Sequence, residues 1–209
     1  ENLALNEGLN YKNHFKDSFK QEINKLNEIP EDQNKLITEM YDQGIELASM
    51  ILKALSLKFP EYKVFSAEEK IIEELKDSEI PYDYKGFLDL VIQTPDNKYH
   101  IIDWKSCSWG WNIEKKTDRI TTYQLTYYKN FFCQKHNIDP TQVETYFGLL
   151  KRTANKNKVE FYRVSSGPRK IKNALNILNK AVYNIHNNNH PKNRLKCSKC
   201  EFNKTEWCS

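Results

Sequence analysis

Three charged residues interrupt two otherwise apolar segments between residues 86 and 106. Asp89 lies within Phe-Leu-Asp-Leu-Val-Ile, and Asp103 and Lys105 lie within Ile-Ile-Asp-Trp-Lys. Burying an isolated carboxylate is costly unless it is paired or bound to a metal. Two carboxylates beside one ammonium suit Mg²⁺ or Mn²⁺, which take one or two carboxylates together with waters and phosphate oxygens. This spacing therefore predicts a metal site that meets a phosphate.

The alternative interpretation of these residues is structural. Asp103 and Lys105 would form a salt bridge at a strand end, and Asp89 would cap a turn. For one charge in a strand this alternative is favoured, because structural ion pairs are commoner than functional sites. Three charges within apolar segments favour the site, because three such burials are hard to compensate otherwise.

The same residues predict how the two strands pair. Side chains alternate along a strand, so Asp103 and Lys105 point to one face. Asp89 shares that face only if the numbers of directly paired residues add up to an even sum. The loop between the strands is then 96–98 or 94–98. An odd sum would place the carboxylates on opposite faces and would require a bulge.

The pattern of apolar residues predicts an α/β fold with helices on the faces of a sheet. Residues 62–73 are interpreted as a strand that enters a short helix. The other predicted elements are helices over 13–28 and from 30 to about 57, a hairpin over 86–106, a helix over 118–137, a hairpin over 143–164 and a helix over 168–187.

Composition limits the class of protein. The chain has 209 residues, of which 39% are hydrophobic, and this suffices for one packed domain. We expect a domain over 1–186 with N-terminal helices, and a cysteine-containing tail over 187–209 packed on it. No apolar run approaches the about 18 residues of a membrane span, so no membrane partner is expected. Five cysteines without a secretory signal predict a reducing, cytoplasmic location.

Three motifs in chain order resemble the PD-(D/E)XK nuclease superfamily, and more narrowly its RecB-type branch. Residues 86–89 (GFLD) match the G-x-x-D strand, residues 102–105 (IDWK) match the D-x-K strand, and residues 124–128 (QLTYY) match the Q-x-x-x-Y helix. The resemblance implies a restriction-endonuclease-like core, with a central mixed β-sheet flanked by helices. It extends over roughly residues 36–135.

The resemblance also implies roles for five residues. Asp89 and Asp103 would bind Mg²⁺ or Mn²⁺, Lys105 would position the attacking water or stabilise the phosphate charge, and Gln124 and Tyr128 would contact the scissile strand. The implied activity is a metal-dependent DNA nuclease, an exonuclease acting on DNA ends or single strands in phage-type replication or recombination, with a recombination or replication protein as partner. A nucleic-acid-binding module without cleavage and a structure- or sequence-specific endonuclease remain alternatives.

The chain departs from the family pattern before the first motif strand. Many relatives carry a histidine in a G-x-x-x-H pattern, and here Gly44 is followed by Ala48 at that position. Glu46 is the nearest polar residue and a candidate third metal ligand, although an exposed helix carboxylate is an equal alternative. Glu68 and Glu69 are further candidates.

The C-terminal tail contains a C-x-x-C pair, Cys197 and Cys200, followed by Cys208. Thiolates at this spacing suit Zn²⁺ or an iron–sulfur cluster. Several RecB-type nucleases hold a [4Fe–4S] cluster with a fourth cysteine upstream, whereas no cysteine precedes Cys107 here. His190, Cys107 or Cys133 would have to complete a site. A tail without metal is the alternative.

Basic and aromatic residues follow the second motif strand. Lys115, Lys116 and Arg119 with Trp109 and Trp111 would combine phosphate contact with base stacking. The alternative is a solvated basic face over two core tryptophans. Further basic candidates lie on the second hairpin and at the start of the last helix: Lys151, Arg152, Lys156, Lys158, Arg169, Lys170 and Lys172.

Overall fold

The structure is a computed structural model. It describes residues 11–26, 30, 33–76, 78–192, 197, 198, 200–206 and 208.

Within the described residues, five strands form one sheet in chain order, and five α-helices accompany them. Strands β3 and β4 are parallel and the other neighbours are antiparallel, which confirms the predicted mixed sheet flanked by helices. The strands are β1 (Lys63–Glu74), β2 (Asp83–Gln93), β3 (Tyr99–Cys107), β4 (Val143–Lys151) and β5 (Val159–Val164). The helices are α1 (Tyr11–Asn24), α2 (Asn34–Lys58), α3 (Ile113–Thr117), α4 (Arg119–His136) and α5 (Pro168–His186).

Alternation along the central strands divides the core into two layers. On one face, Leu55 at the end of α2 packs in a cluster with Leu90 and Ile102. On the other face, Leu125 and further residues of α4 pack with Ile101 and the neighbouring strands. Asp103 and Lys105 follow Ile101 at intervals of two, so they belong to the α4 face.

The β2–β3 hairpin has the predicted register. Gln93 pairs with Tyr99 and Leu90 pairs with Ile102, and both sums are even. The Thr94 N–H donates to the Lys98 carbonyl at 3.0 Å and closes the loop over 94–98, as expected. This short loop needs a left-handed residue, and Asn97 supplies it with φ of 58°.

One predicted element is wrong and several helix boundaries differ, among them the start of α2 at Asn34 rather than at residue 30. Residues 62–73 do not enter a helix, because β1 stays paired with β2 over its whole length, with a register shift between Val64 and Ser66. Exposed and half-buried residues largely alternate along it, with adjacent carboxylates on opposite faces, and this strand period outweighs the helical preference of the glutamates. Helix α1 ends at Asn24 rather than at 28, and residues 27–29 lie outside the described residues. The second hairpin forms as predicted. Within the described residues, no helix has both the length and the apolar character needed to cross a lipid bilayer.

Candidate active site

The two central strands separate where Asp89 and Asp103 lie. Paired residues of β2 and β3 end at Leu90 and Ile102. Beyond that pair, the Trp104 N–H donates to Asp89 Oδ2 at 2.7 Å. A side-chain carboxylate therefore accepts a bond that a backbone carbonyl would accept in a continued ladder. Asp89 is thus held against β3 within a strand, and it does not cap a turn.

Asp103 and Lys105 form an ion pair on β3. The Lys105 Nζ lies 2.7 Å from Asp103 Oδ2, and the Asp103 side chain is 2% exposed while that of Lys105 is 34% exposed. The contact lacks the angles of a hydrogen bond, so Oδ2 has an ion-pair partner but no well-aligned hydrogen bond. Burial raises the pKa of Asp103 to about 6, Lys105 offsets part of that effect, and the Asp89 charge adds to it.

Helix α4 brings Gln124 and Tyr128 to the same carboxylates. These residues are four apart and therefore neighbours on one helix face, and Gln124 Nε2 donates to the Tyr128 hydroxyl at 3.1 Å. Burial raises the pKa of Tyr128, the Gln124 bond opposes this effect, and the charges of Asp103 and Asp89 add to it. The phenol is therefore neutral and keeps a proton to donate.

Tyr84 is a site residue that the sequence reasoning missed. Its ring stacks on Phe131 of α4 with centroids 4.1 Å apart. Burial raises its pKa, and the charges of Tyr128 and Asp103 contribute. A Cβ at Gly86 would lie 3.0 Å from Tyr84 and 3.2 Å from Tyr128, so the glycine of the first motif admits both rings. An aromatic residue two positions before that glycine was the available signal.

The candidate third carboxylates have other partners. Glu46 pairs with Lys158, which directly precedes β5, and Glu69 pairs with Lys135 and His136 near the end of α4. Among the residues that the structure describes, no group of three His, Cys, Asp or Glu side chains could hold a metal ion. The predicted ligand role of Glu46 stays a prediction.

The remaining acidic pair fits a magnesium-type ion. Mg²⁺ keeps several waters and is bound by one or two carboxylates plus substrate phosphates. Asp103 provides a buried oxygen without a hydrogen bond, and Asp89 provides a second carboxylate fixed by the Trp104 N–H. Lys105 compensates part of the charge when Asp103 ionises, and a metal cation would complete that compensation.

The predicted DNA contacts separate into exposed and engaged residues. Trp109 is 71% exposed. Trp111 packs against Phe147 with centroids 4.9 Å apart, and Lys115 Nζ lies 4.5 Å from the Trp111 ring. Lys116 pairs with Glu160 of β5. The fifth residue, Arg119, lies at the start of α4.

The three tail cysteines line one cavity. Cys197, Cys200, Cys208 and His190 surround a space of about 800 Å³ beside the end of α5, but within the described residues they do not form a ready metal site. Cys133 is buried in the core, and burial raises its pKa to about 11. It is therefore a protonated core residue at neutral pH.

The geometry agrees with the comparisons with known proteins. The PD-(D/E)XK nuclease superfamily matches residues 13–208, and the chain belongs to that superfamily. No curated protein sequence matches it.

Two solved structures are similar to the chain at low sequence identity. A putative exonuclease from Eubacterium rectale is 13% identical with a TM-score of 0.50, covering 77% of this chain and 58% of that chain. The crystal structure of SSO0001 is 14% identical with a TM-score of 0.46, covering 90% of this chain and 91% of that chain.

Proposed function

We propose that the protein is a Mg²⁺- or Mn²⁺-dependent deoxyribonuclease whose active site is formed by Asp89, Asp103 and Lys105. One observation carries the proposal: Asp103 is a buried carboxylate whose Oδ2 contacts the Lys105 ammonium without a well-aligned hydrogen bond, and burial raises its pKa. It lies at the point where two strands separate and beside a partly exposed lysine. Membership of a nuclease superfamily supports the same conclusion.

Each residue has a task that follows from its chemistry. Asp89 and Asp103 would hold the cation, which when bound polarises a phosphoryl oxygen and lowers the pKa of its water. Lys105 is exposed enough to donate to the attacking water or to a phosphate oxygen. The neutral Tyr128 hydroxyl would donate to the scissile strand, and Gln124 orients that hydroxyl because it occupies one of its acceptor positions.

The finer parts of the proposal rest on the resemblance. We infer an exonuclease of the RecB-type branch, acting on DNA ends or single strands, with a cytoplasmic location. The hydrogen bond between Gln124 and Tyr128 supports the branch, because it gives the Q-x-x-x-Y pattern a structural purpose. A role in phage-type replication or recombination, with a protein partner from those processes, stays a prediction.

The test uses linear DNA and closed circular plasmid with Mg²⁺ or Mn²⁺. We expect the wild type to digest linear DNA and to leave closed circles intact. Asp103→Asn should lose activity by at least about 100-fold, because it removes the charge that holds the cation. Asp96→Asn is the matched control on the loop of the same hairpin and should keep full activity.

Each outcome has a defined meaning. Cleavage of the closed circle would show that the protein is an endonuclease and not an exonuclease. DNA binding without any digestion would support the non-catalytic module. Equal digestion by Asp103→Asn and the wild type would contradict the assignment of the active site.

The tail is a separate cofactor question. Zn²⁺ or an iron–sulfur cluster at Cys197, Cys200 and Cys208 stays a prediction. Metal analysis of the purified chain decides it, because zinc, iron with sulfide, or neither would be found in stoichiometric amount. Cys200→Ser should abolish any metal found.

A further inference from the structure

A cleft between the start of α4 and the start of α5 is lined only by basic and neutral residues. Its volume is about 540 Å³, and Arg119, Arg169 and Lys170 contribute the charges. A buried hydrogen bond of 2.9 Å between Thr126 and Ser166 joins α4 to the segment before α5. The walls of the cleft are therefore fixed relative to each other by the core.

These three basic residues differ from several other cations on the molecule. Across the part of the chain that the structure describes, none of the three forms an ion pair, whereas several basic residues elsewhere pair with carboxylates: Lys116 and Lys151 with Glu160, Lys135 with Glu69, Lys158 with Glu46, and Arg163 with Glu144. The carboxylate next in sequence, Asp118, accepts from the Thr121 N–H and caps α4.

Lys170 shows the cost of this arrangement. It is partly buried, and desolvation lowers its pKa without compensation from a neighbouring carboxylate. Charges of one sign collected in a concave surface attract a ligand of the opposite sign. An anionic ligand would supply the compensation that the described residues do not.

The cleft and the candidate active site share one helix. Tyr123 lines the cleft, and the next residue, Gln124, is bonded to Tyr128 at the site. Arg119 and Tyr128 are nine residues apart on α4, which is about 13 Å along the helix axis and half a turn around it, so the two residues lie on opposite sides of the helix. Successive phosphates of a duplex strand are about 3.4 Å apart along the axis, so a strand that crosses α4 from the cleft would reach the carboxylates after several nucleotides.

We propose that Arg119, Arg169 and Lys170 bind the phosphate groups of the DNA strand that enters the active site, several nucleotides from the scissile bond. The inference rests on the proposed nuclease function for the identity of the anion. It assigns the substrate path to the α4–α5 side of the molecule.

The test measures binding without turnover. A fluorescently labelled oligothymidylate of about 20 nucleotides is titrated in EDTA at several salt concentrations, and anisotropy is recorded. Arg169→Gln/Lys170→Gln should weaken binding by about tenfold at about 100 mM KCl. Its slope of log K against log salt should be smaller by about 1.4, because each lost phosphate contact on a single strand contributes about 0.7. Arg119→Gln should reduce the slope by about half as much.

The control removes the same charge elsewhere. Lys53→Gln/Lys180→Gln changes two exposed lysines, on α2 and on the far part of α5, and should leave the slope close to that of the wild type. Equal weakening by the cleft and control pairs, or no binding by the wild type, would overturn the proposal. A parallel cleavage assay separates the two proposals. Lost binding in the cleft pair with an inactive wild type would contradict only the nuclease, and active wild type with unchanged cleft binding would contradict only the cleft.

Discussion

The two ends of the β2–β3 hairpin both carry acidic residues near basic ones, but they treat charge in opposite ways. At the loop end, Asp96 accepts from the Thr94 hydroxyl and pairs with Lys98, and these contacts lower its pKa to about 2. Burial alone would raise the pKa of Glu144 on the neighbouring strand. The Tyr146 hydroxyl and Arg163 outweigh that effect, and the pKa lies below its ordinary value.

At the separated end the balance is reversed. Asp103 has one ion-pair contact and no hydrogen bond to Oδ2, and burial raises its pKa to about 6. The comparison shows that a charged residue within a strand does not by itself mark a site. The distinguishing feature is a carboxylate whose burial exceeds what its protein partners compensate, because such a group has capacity for a ligand.

The largest expected effect is a difference in DNA cleavage between variants of two lysines, Lys105 at the separated end and Lys98 at the loop end. Lys105→Ala should reduce DNA cleavage by about 100- to 1000-fold, because it removes the ammonium nearest to Asp103. Lys98→Ala removes the lysine of the loop end and should leave cleavage unchanged. Initial rates on linear DNA at saturating Mn²⁺ measure both. Equal losses would show that net charge, and not position, matters.

The next largest expected effect is on the pH dependence of the free energy of unfolding. The folded-state pKa of Asp103 is above its ordinary value of 3.8, at about 6, so its ionisation destabilises the fold as pH rises through about 6. Asp103→Asn avoids this cost. Without metal, its free energy of unfolding relative to wild type should improve by about 2–3 kcal/mol between pH 4 and pH 8. Urea denaturation in EDTA measures this, and a difference independent of pH would contradict the raised pKa.

Tyr128→Phe tests the hydroxyl without removing the ring. We expect about a tenfold lower kcat, because one donor to the substrate strand is lost while the packing of α4 remains. Tyr146→Phe is the control on the α2 face of the sheet, where the hydroxyl donates to Glu144, and cleavage should not change. If Tyr128→Phe lowered the free energy of unfolding by as much as it raised the activation free energy of cleavage, the hydroxyl would have a structural role instead.

The smallest expected effect is on stability near the loop end, where Glu144 on β4 should respond to pH in the direction opposite to Asp103. The folded-state pKa of Glu144 is lowered, so its contribution is present above the pKa of the unfolded chain and is lost as pH falls through the folded value. Glu144→Gln should therefore destabilise the protein by about 1 kcal/mol at pH 7. This difference should disappear in acid, and the same urea titrations would show it. A larger difference in acid would contradict the assignment.

Local rules predicted much of the site from the sequence. The cost of burying Asp89 and Asp103, combined with the alternation of strand side chains, was sufficient to predict the even-sum register and to limit the loop to 96–98 or 94–98, of which the structure has the second. Spacing of four residues was sufficient to place Gln124 beside Tyr128. These features depend on neighbours within one hairpin or one helix.

Long-range pairing explains what the sequence did not predict. Lys116 is neutralised by Glu160, which is 44 residues later, and no local sequence pattern predicts that ion pair. Asp89 accepts a hydrogen bond from the Trp104 N–H only because strands β2 and β3 separate at that point. Tyr84 joins the site only because α4 packs across β2. The helix expected after residue 62 failed because pairing with β2 overrides local propensity.

Direct titration of metal-free protein with Mn²⁺ by calorimetry tests the central claim. The account predicts saturable binding by the wild type and by Asp96→Asn, and loss of that binding in Asp103→Asn and Asp89→Asn. Unchanged Mn²⁺ binding in both of the latter variants would contradict it, because the cation would then be held elsewhere than between the two separated strands.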